Sequence, residues 1–271
     1  MSIDPDAAVQ VHRQGPVTVI TLHRPQRRNA VDSRTAAMLY EAFQAFDQDD
    51  SASVAVLTGD GDSFCAGADL KAVAAGDQHI LDATGGQNTQ GPMGPTRMTL
   101  SKPVIAAIEG HAVAGGMELA LWADLRIVAD NAVMGVYCRR FGVPLIDMGT
   151  IRLPRLIGQS RAMDLILTGR PVRADEALAM GLANRVVPAG QTLKAAVQMA
   201  QELAAFPQAC MRHDRLSVLA QWSLTTDEAI ANEMRGGLQV IAAGETHQGA
   251  QAFAQGSGRH GRFGPTSSEP D

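Results

Sequence analysis

Residues 102–124, KPVIAAIEGHAVAGGMELALWAD, combine an apolar run, a pair of glycines and a helical pattern. Residues 102–110 are mostly β-branched or small and apolar, which predicts a buried strand. Gly115 and Gly116 permit a tight turn, and the residues after them predict a helix. The segment is therefore a strand, a turn and a helix in direct succession, with unpartnered backbone amides expected where the helix begins.

The same succession occurs twice upstream. Residues 17–22 (VTVITL) predict a strand and residues 33–47 a helix, while residues 53–59 (SVAVLTG) predict a second strand. A glycine-rich turn follows that second strand, and a short helix is expected from Ala68 or Asp69. Strands that alternate with helices in this way favour an α/β fold with a mostly parallel sheet.

The pattern changes toward the C-terminus. Further strands and helices are predicted at residues 125–130, 132–137, 160–169 and 174–181. After residue 190 only amphipathic helical patterns remain, so we expect an α/β core over residues 1–200 and a helical region over residues 201–271. Two segments lack periodicity: residues 77–96 predict a mobile excursion, and the last residues of 256–271 predict a disordered tail.

Composition excludes several classes of protein. The chain has 271 residues, a formal net charge of −5 and 45% hydrophobic residues, which favours a packed soluble protein and gives no attraction to nucleic acid. The N-terminus lacks the apolar run of a secretory signal, and acidic residues interrupt the most apolar stretch, residues 112–125. We therefore expect a cytoplasmic protein without membrane or nucleic-acid partners. Cys65, Cys138 and Cys210 lack metal-ligand spacing, so buried thiols are expected.

Two glycine-bearing turns carry the predicted chemistry. Gly67 would leave the amide of Ala68 free at the start of a helix, and the turn at residues 112–116 would do the same for the amide of Gly115. Two such amides can hold a carbonyl oxygen on which negative charge develops, which is an oxyanion hole. Glu118, one helical turn further on, would reach the neighbouring carbon and move a proton. The alternative for Glu118 is capping in the first turn of its helix.

Five motifs in this order resemble the crotonase (enoyl-CoA hydratase/isomerase) superfamily. They are RPQRRNAVD, LTGDGDSFCAGADLK, KPVIAAIEGHAVAGGMELALWADLRIVA, RLPRLIGQSRAMDLILTGRPVRADEALAMGLANRVVP and the helical C-terminus. The resemblance implies a crotonase-like spiral of ββα units and a C-terminal helical region that mediates formation of a homotrimer, often as a dimer of trimers. It also implies an acyl-coenzyme A substrate, with coenzyme A as the carrier, and no permanently bound metal or redox cofactor.

The resemblance assigns roles to the two turns. It makes the amides of Ala68 and Gly115 the oxyanion hole and Glu118 the first catalytic glutamate of the family hydratases. It also implies that residues around Arg27 and Arg28 contact the phosphates of coenzyme A. A solvated surface is the alternative for these two arginines.

Three further residues are assigned to coenzyme A binding by the same resemblance. Ala66, Asp69 and Leu70 would line the adenine and pantetheine side of the site.

A second catalytic glutamate of family hydratases is expected at position 138, where this chain has cysteine. Asp147, in LIDMGT, resembles an aspartate of family dienoyl-CoA isomerases and is a candidate second acid/base; its alternative is capping of a helix that starts near residues 149–150. Cys138 would be a nucleophile if Arg139 or Arg140 lowered its pKa, and otherwise a buried inert thiol. The two arginines would alternatively form an anion pocket for a carboxylated acyl group.

These assignments predict an acyl-CoA-processing enzyme, nominally an enoyl-CoA hydratase or isomerase, that stabilises a thioester enolate with Glu118 as acid/base. A single retained glutamate favours double-bond isomerisation, since one base can remove a proton at one carbon and return it at another. Thioester hydrolysis and decarboxylation on the same scaffold are alternatives. A catalytically weak acyl-CoA-binding protein is an alternative from another class.

Overall fold

The secondary structure comes from a computed structural model that describes residues 7–77 and 86–258. The strands are β1 Val9–Gln14, β2 Val17–Leu22, β3 Val54–Gly59, β4 Val104–Ile108, β5 His111–Val113, β6 Leu125–Ala129, β7 Val133–Gly135, β8 Val172–Arg173 and β9 Arg185–Val187. The helices are α1 Ser33–Gln48, α2 Leu70–Ala74, α3 Gly115–Trp122, α4 Gly149–Ile157, α5 Gln159–Thr168, α6 Ala174–Ala179, α7 Thr192–Ala204, α8 Gln208–Ala220, α9 Thr226–Ala242 and α10 Glu245–Ala254.

Six of these strands form one sheet in the order β1-β2-β3-β4-β6-β9. The hairpin of β1 and β2 is antiparallel, and every later neighbour pairs in parallel. A smaller sheet has the order β5-β7-β8. The predicted α/β class with a mostly parallel sheet is confirmed.

The large sheet is buried on both faces, as its uniformly apolar strands predict. Along β2, Ile20 and Leu22 face the main core that includes α1, whereas Val17 and Val19 face the opposite side. That opposite side is covered by α7, whose small residues pack against the sheet.

The described chain divides into two compact units, of which one ends at Ala204 and the other begins at Ala205. The first holds the sheets and helices α1 to α7, and the second holds α8 to α10. Helix α10 has no counterpart among the predicted helices. Of the predicted disordered tail, residues 259–271 lie outside the described residues.

The prediction of a mobile excursion over residues 77–96 is wrong for its C-terminal half. Residues 91–96 are buried, Gly91 and Gly94 pair in a β-bridge, and a 3₁₀ turn follows at Pro95–Arg97. Gly94 lies so close to α1 that a Cβ atom there would be 2.6 Å from the carbonyl oxygen of Ala36. The segment is fixed by tertiary contacts that its composition does not reveal, while residues 78–85 lie outside the described residues.

None of the described helices is long and apolar enough to cross a membrane.

Candidate active site

The two glycine-bearing turns lie side by side. Cys65 and Ala112 form an isolated parallel bridge, in which the amide of Cys65 donates to His111 O at 2.9 Å and the amide of Val113 donates to Cys65 O at 3.1 Å. Gly67 has a φ of 92°, and a Cβ atom there would lie 2.9 Å from the amide nitrogen of Gly115. Only glycine meets both conditions, so the two turns are in contact as the site requires.

The amide of Ala68 is freed by a strand bridge rather than by a helix start. The amide of Val31 donates to Gly67 O, and Val31 O accepts from the amide of Asp69. This bridge between Val31 and Ala68 thus uses the groups on either side of Ala68 and leaves its amide unbonded. Helix α2 begins two residues later, at Leu70, with Asp69 as its N-cap. The short helix predicted from Ala68 or Asp69 is therefore present with Asp69 as its cap, and Ala68 lies just before it, with an amide that donates to no acceptor among the described residues.

The amide of Gly115 is free for the predicted reason. Gly115 is the first residue of α3, and its N-cap, Ala114, has the unusual backbone angles φ 54° and ψ −128°. The first amide of a helix has no partner within that helix, and this one finds none elsewhere in the described chain. Ala68, Ala114 and Gly115 all line one cavity of about 160 Å³.

Glu118 lies in the wall of this cavity and is only 3% exposed. Its Oε1 atom accepts from the amides of Asp147 at 2.9 Å and Gly149 at 2.8 Å. The carboxylate thus sits at the N-terminus of α4 rather than capping its own helix, which removes the capping alternative. Its other oxygen accepts no hydrogen bond from the described residues.

Burial, reinforced by the charge of Asp147, raises the pKa of Glu118 from 4.5 to about 8. The two backbone amides and the charge of Arg152 act in the opposite direction. A carboxyl group with a pKa in this range can both accept and release a proton near neutral pH.

Asp147 is also buried, and its carboxylate lines the same cavity. Its Oδ1 atom accepts from the amide of Met93 at 3.0 Å and from the hydroxyl of Thr96. The N-cap of α4 is Met148, without a side-chain cap, so the capping alternative for Asp147 is wrong. Burial raises the pKa of Asp147, against the bonds from Thr96 and Met93.

The rest of the cavity wall is largely apolar. It consists of Ala66, Leu70, Pro92, Met93, Val113, Tyr137, Cys138, Phe141, Val143, Pro144 and Ile146. Glu118 and Asp147 are the charged side chains of this wall, and both are acids. In the described part of the chain, no group of three His, Cys, Asp or Glu side chains could hold a metal ion.

Cys138 is 5% exposed and lines the cavity. Burial raises the pKa of its thiol, and the charge of Glu118 adds to this against Arg139. The condition for a nucleophilic Cys138, a pKa lowered by the arginines, is therefore not met, and the thiol is buried as the other interpretation expected. The guanidinium of Arg139 donates to Ile166 O at 3.0 Å, and that of Arg140 stacks 4.1 Å from the ring centre of Tyr137. Neither arginine lines the cavity, so neither forms an anion pocket there.

The predicted coenzyme A residues fall into two groups. Ala66 and Leu70 line the cavity, whereas Arg27 and Arg28 are exposed beside it on a 3₁₀ turn. The amide of Ala66 donates to Arg28 O at 3.0 Å, which connects that turn to the cavity wall. Asp69 is not among the residues that line the cavity.

The carboxylate of Asp69 is already occupied by protein groups. It accepts from the amides of Lys71 at 3.1 Å and Ala72 at 3.3 Å and pairs with Arg24 at 3.1 Å. Its observed contacts hold the turn and helix α2 in place.

Several residues of the site were not predicted. Thr96, the amide of Met93, Gly149 and Arg152 all hold or face the two acids. The motif RLP contains Arg152 and was one available signal. Thr96 lay in a segment without periodicity, so no pattern in the sequence marked it.

An α/β core in which two amides, without partners in the described part of the chain, lie beside a buried glutamate is typical of a crotonase-type protein. Residues 12–258 match the family model described as enoyl-CoA hydratase/isomerase. The chain belongs to the enoyl-CoA hydratase/isomerase family, and the predicted resemblance is confirmed.

Relatives and solved structures agree with this assignment. The chain is 33% identical to enoyl-CoA hydratase EchA19 of Mycobacterium tuberculosis over 93% of this chain and 94% of that protein. It is 40% identical to carnitinyl-CoA dehydratase of Salmonella arizonae over 72% and 74% of the two chains. The crystal structure of an enoyl-CoA hydratase from M. tuberculosis matches with a TM-score of 0.85 and 35% identity, covering 92% of this chain and 96% of that one. These structures have the crotonase fold, so the predicted fold is confirmed.

Proposed function

We propose that this protein interconverts enoyl-CoA thioesters, by double-bond isomerisation or by addition and removal of water. The observation that carries the proposal is the meeting of four groups at one cavity: the free amides of Ala68 and Gly115 and the carboxyls of Glu118 and Asp147. Relatives whose names specify a hydratase and a dehydratase of CoA compounds support the same class of reaction.

In the proposed mechanism the two amides hold the thioester carbonyl oxygen. A base removes a proton from the acyl chain, and the electron pair of that C–H bond moves onto the carbonyl to form an enolate. Return of a proton at another carbon of the conjugated system shifts the double bond. No other reactant is needed, because the proton that leaves one carbon is replaced at the other.

Glu118 is the proposed acid/base, since its side chain lines the cavity together with Ala68 and Gly115. Asp147 is the proposed second acid/base. Cys138 takes the place of the second glutamate of family hydratases in this proposal, and its raised thiol pKa makes it a neutral wall residue rather than a proton donor. Because Asp147 would supply the second carboxyl group, the same site could also add water to the double bond.

Coenzyme A would lie across the mouth of the cavity. Arg27 and Arg28 are exposed and would contact its phosphates, while Ala66 and Leu70 would border the pantetheine arm. For Asp69 we propose a backbone contribution to this loop, because its carboxylate is engaged by Arg24 and α2. Coenzyme A enters and leaves with the acyl group, so the proposal includes no permanently bound cofactor.

We propose that residues 1–200 form the acyl-CoA site and that residues 201–271 mediate subunit association. The assembly proposed is a homotrimer or a dimer of trimers. The second compact unit, which begins at Ala205, carries many apolar side chains that would be exposed to water in a monomer. They are Val218, Leu219, Trp222, Ile230, Met234, Leu238, Ile241 and Phe253. Apolar faces of this kind are typical of surfaces that bind another protein.

The test is mass spectrometry of acyl- and enoyl-CoA thioesters incubated with the protein in D₂O, with Glu118→Gln beside it. Deuterium exchange with a shifted double bond supports isomerisation, and gain of water supports hydration. Loss of the acyl group or of carbon dioxide would replace the proposal with hydrolysis or decarboxylation. If no thioester changes, the result would replace the proposal with a catalytically weak acyl-CoA-binding protein.

A further inference from the structure

Arg152 joins two segments that are distant in sequence. It is the fourth residue of α4, and its Nη1 donates to Asp147 O at 3.2 Å while its Nη2 donates to Thr96 O at 2.7 Å. The hydroxyl of Thr96 in turn binds Oδ1 of Asp147. One planar guanidinium therefore closes a ring of contacts around the second acid, a geometry that lysine cannot reproduce with its single ammonium.

The same guanidinium faces both acids without contacting either carboxylate. Its bonds within the described chain go to carbonyl oxygens, yet Glu118 and Asp147 both interact with its charge. Asp124 and Arg155 also face Arg152.

Further titratable and charged groups surround the two acids. Glu118 faces Asp147, Arg152 and the thiol of Cys138. Asp147 additionally faces Arg97, whose Nη2 donates to Ile146 O at 3.3 Å. Two carboxyls so close together in a buried cavity resist ionising together, because like charges repel where water is excluded.

We propose that Arg152 is a positioning residue of this site, which fixes the geometry of Asp147 through two backbone carbonyls and sets how many protons Glu118 and Asp147 hold between them. The inference rests on the proposed function for its catalytic meaning. Its electrostatic part concerns the protein without substrate and can be measured separately.

The charge of Arg152 acts in one direction on both acids. It lowers the pKa of Glu118 and of Asp147, against the burial that raises them. Burial lowers the pKa of Arg152 itself to about 10, so the group stays charged at neutral pH. Loss of this charge should raise the pKa of Glu118. Loss of the two guanidinium hydrogen bonds with the charge retained should instead alter the position of Asp147.

The experiment is a ¹³C NMR titration of side-chain carboxyls in ¹³C-glutamate-labelled protein, with Glu118→Gln to assign the signal. We expect Arg152→Gln to move the Glu118 titration upward by about 1 pH unit or more, the usual effect of one nearby charge. Arg152→Lys should keep the titration near its original pH but lower turnover. Arg155→Gln, which removes an exposed cation from the same helix, should leave the titration in place.

Two results would overturn the inference: an unchanged Glu118 titration in Arg152→Gln, or an equal shift in Arg155→Gln. If Arg152→Gln does not fold, the double variant Asp147→Asn/Arg152→Gln removes one buried charge of each sign and is compared with Asp147→Asn alone. Glu118 should then titrate higher in the double variant, and equal titrations would refute the role. A wild-type protein that converts no thioester would refute the proposed function while leaving this titration readable.

Discussion

The amide of Gly149 donates a 2.8 Å hydrogen bond to Oε1 of Glu118, and a Cβ atom at position 149 would lie 2.6 Å from that same oxygen. The first turn of α4 thus fits against the carboxylate with no space for a side chain. The partial positive charge of the helix N-terminus favours the ionised form of Glu118 at this point, against the effect of burial.

Gly149→Ala should therefore reduce turnover without abolishing folding. The added methyl group would displace the carboxylate of Glu118 from its observed position, and a misplaced acid/base costs about 10- to 100-fold in rate. Steady-state kinetics should show the loss in kcat more than in KM. Gly249→Ala, in α10, is the matched control, because nothing lies within 4 Å of a Cβ atom there; equal losses in both variants would contradict the explanation.

Glu118→Gln should make the protein more stable at alkaline pH relative to the wild type. The pKa of Glu118 is raised from 4.5 to about 8, so the folded wild type holds a proton that the unfolded chain releases between these values. The stability contributed by that proton is complete below about pH 4.5 and disappears as the pH rises through about 8. We expect the Tm difference between variant and wild type to widen from pH 5 to pH 9. A difference independent of pH would indicate an unshifted carboxyl.

Thr96→Val should weaken catalysis through Asp147. Its hydroxyl is one of two groups that hold Oδ1 of the aspartate, and loss of a hydrogen bond to a buried charged group costs about 1.5–3 kcal/mol. We expect Asp147→Asn to lower kcat by about 10²- to 10⁴-fold, as removal of an acid/base does, and Thr96→Val to have a smaller effect of the same kind. The exposed Thr99→Val serves as control, and full activity of Asp147→Asn would limit the chemistry to Glu118.

The cysteines should differ sharply toward alkylation at neutral pH. Cys210 is exposed, whereas Cys65 and Cys138 are buried with raised pKa values, to about 12 for Cys65. Only the thiolate reacts with iodoacetamide, so peptide mass spectrometry should find Cys210 modified first. Rapid modification of Cys138 that inactivates the protein would instead point to an activated thiol. Cys138→Ala is expected to retain most of the activity.

Met234→Lys should weaken subunit association. Met234 is 62% exposed and lies on one face of α9 with Ile230, Leu238 and Ile241. A charge in the middle of this face would have to be desolvated on association. Light scattering should report a smaller assembly for this variant, with Gln239→Lys as control because it lies roughly 180° around the helix from Ile230. Equal masses for both variants and the wild type would place the interface elsewhere.

The sequence was sufficient for the parts of the site that depend on neighbouring residues. The strand–turn–helix unit at residues 102–124 predicted β4, α3 and the free amide of Gly115, because glycine conformation and helix ends are local properties. The position of Glu118 one turn further along α3 followed from helix geometry.

Contacts between distant segments were beyond such reasoning. Thr96 binds Asp147 across 51 positions of sequence, and Gly149 binds Glu118 across 31. Asp147 looked like a helix cap because it precedes α4, yet its carboxylate turns toward the segment around Met93. Which of two available hydrogen-bonding partners an aspartate takes depends on packing, and no local pattern encodes that choice.

The strand order of the large sheet also bears on how the protein emerges from the ribosome. The final edge strand, β9, and the helix that covers one sheet face, α7, are the last parts of the first unit to be synthesised. Until they arrive, the valines and isoleucines on that face, such as Val17, Val54 and Ile105, have no cover. Between the synthesis of β6 and that of α7 the nascent chain therefore carries these apolar residues without their cover, a situation that favours binding by chaperones during translation.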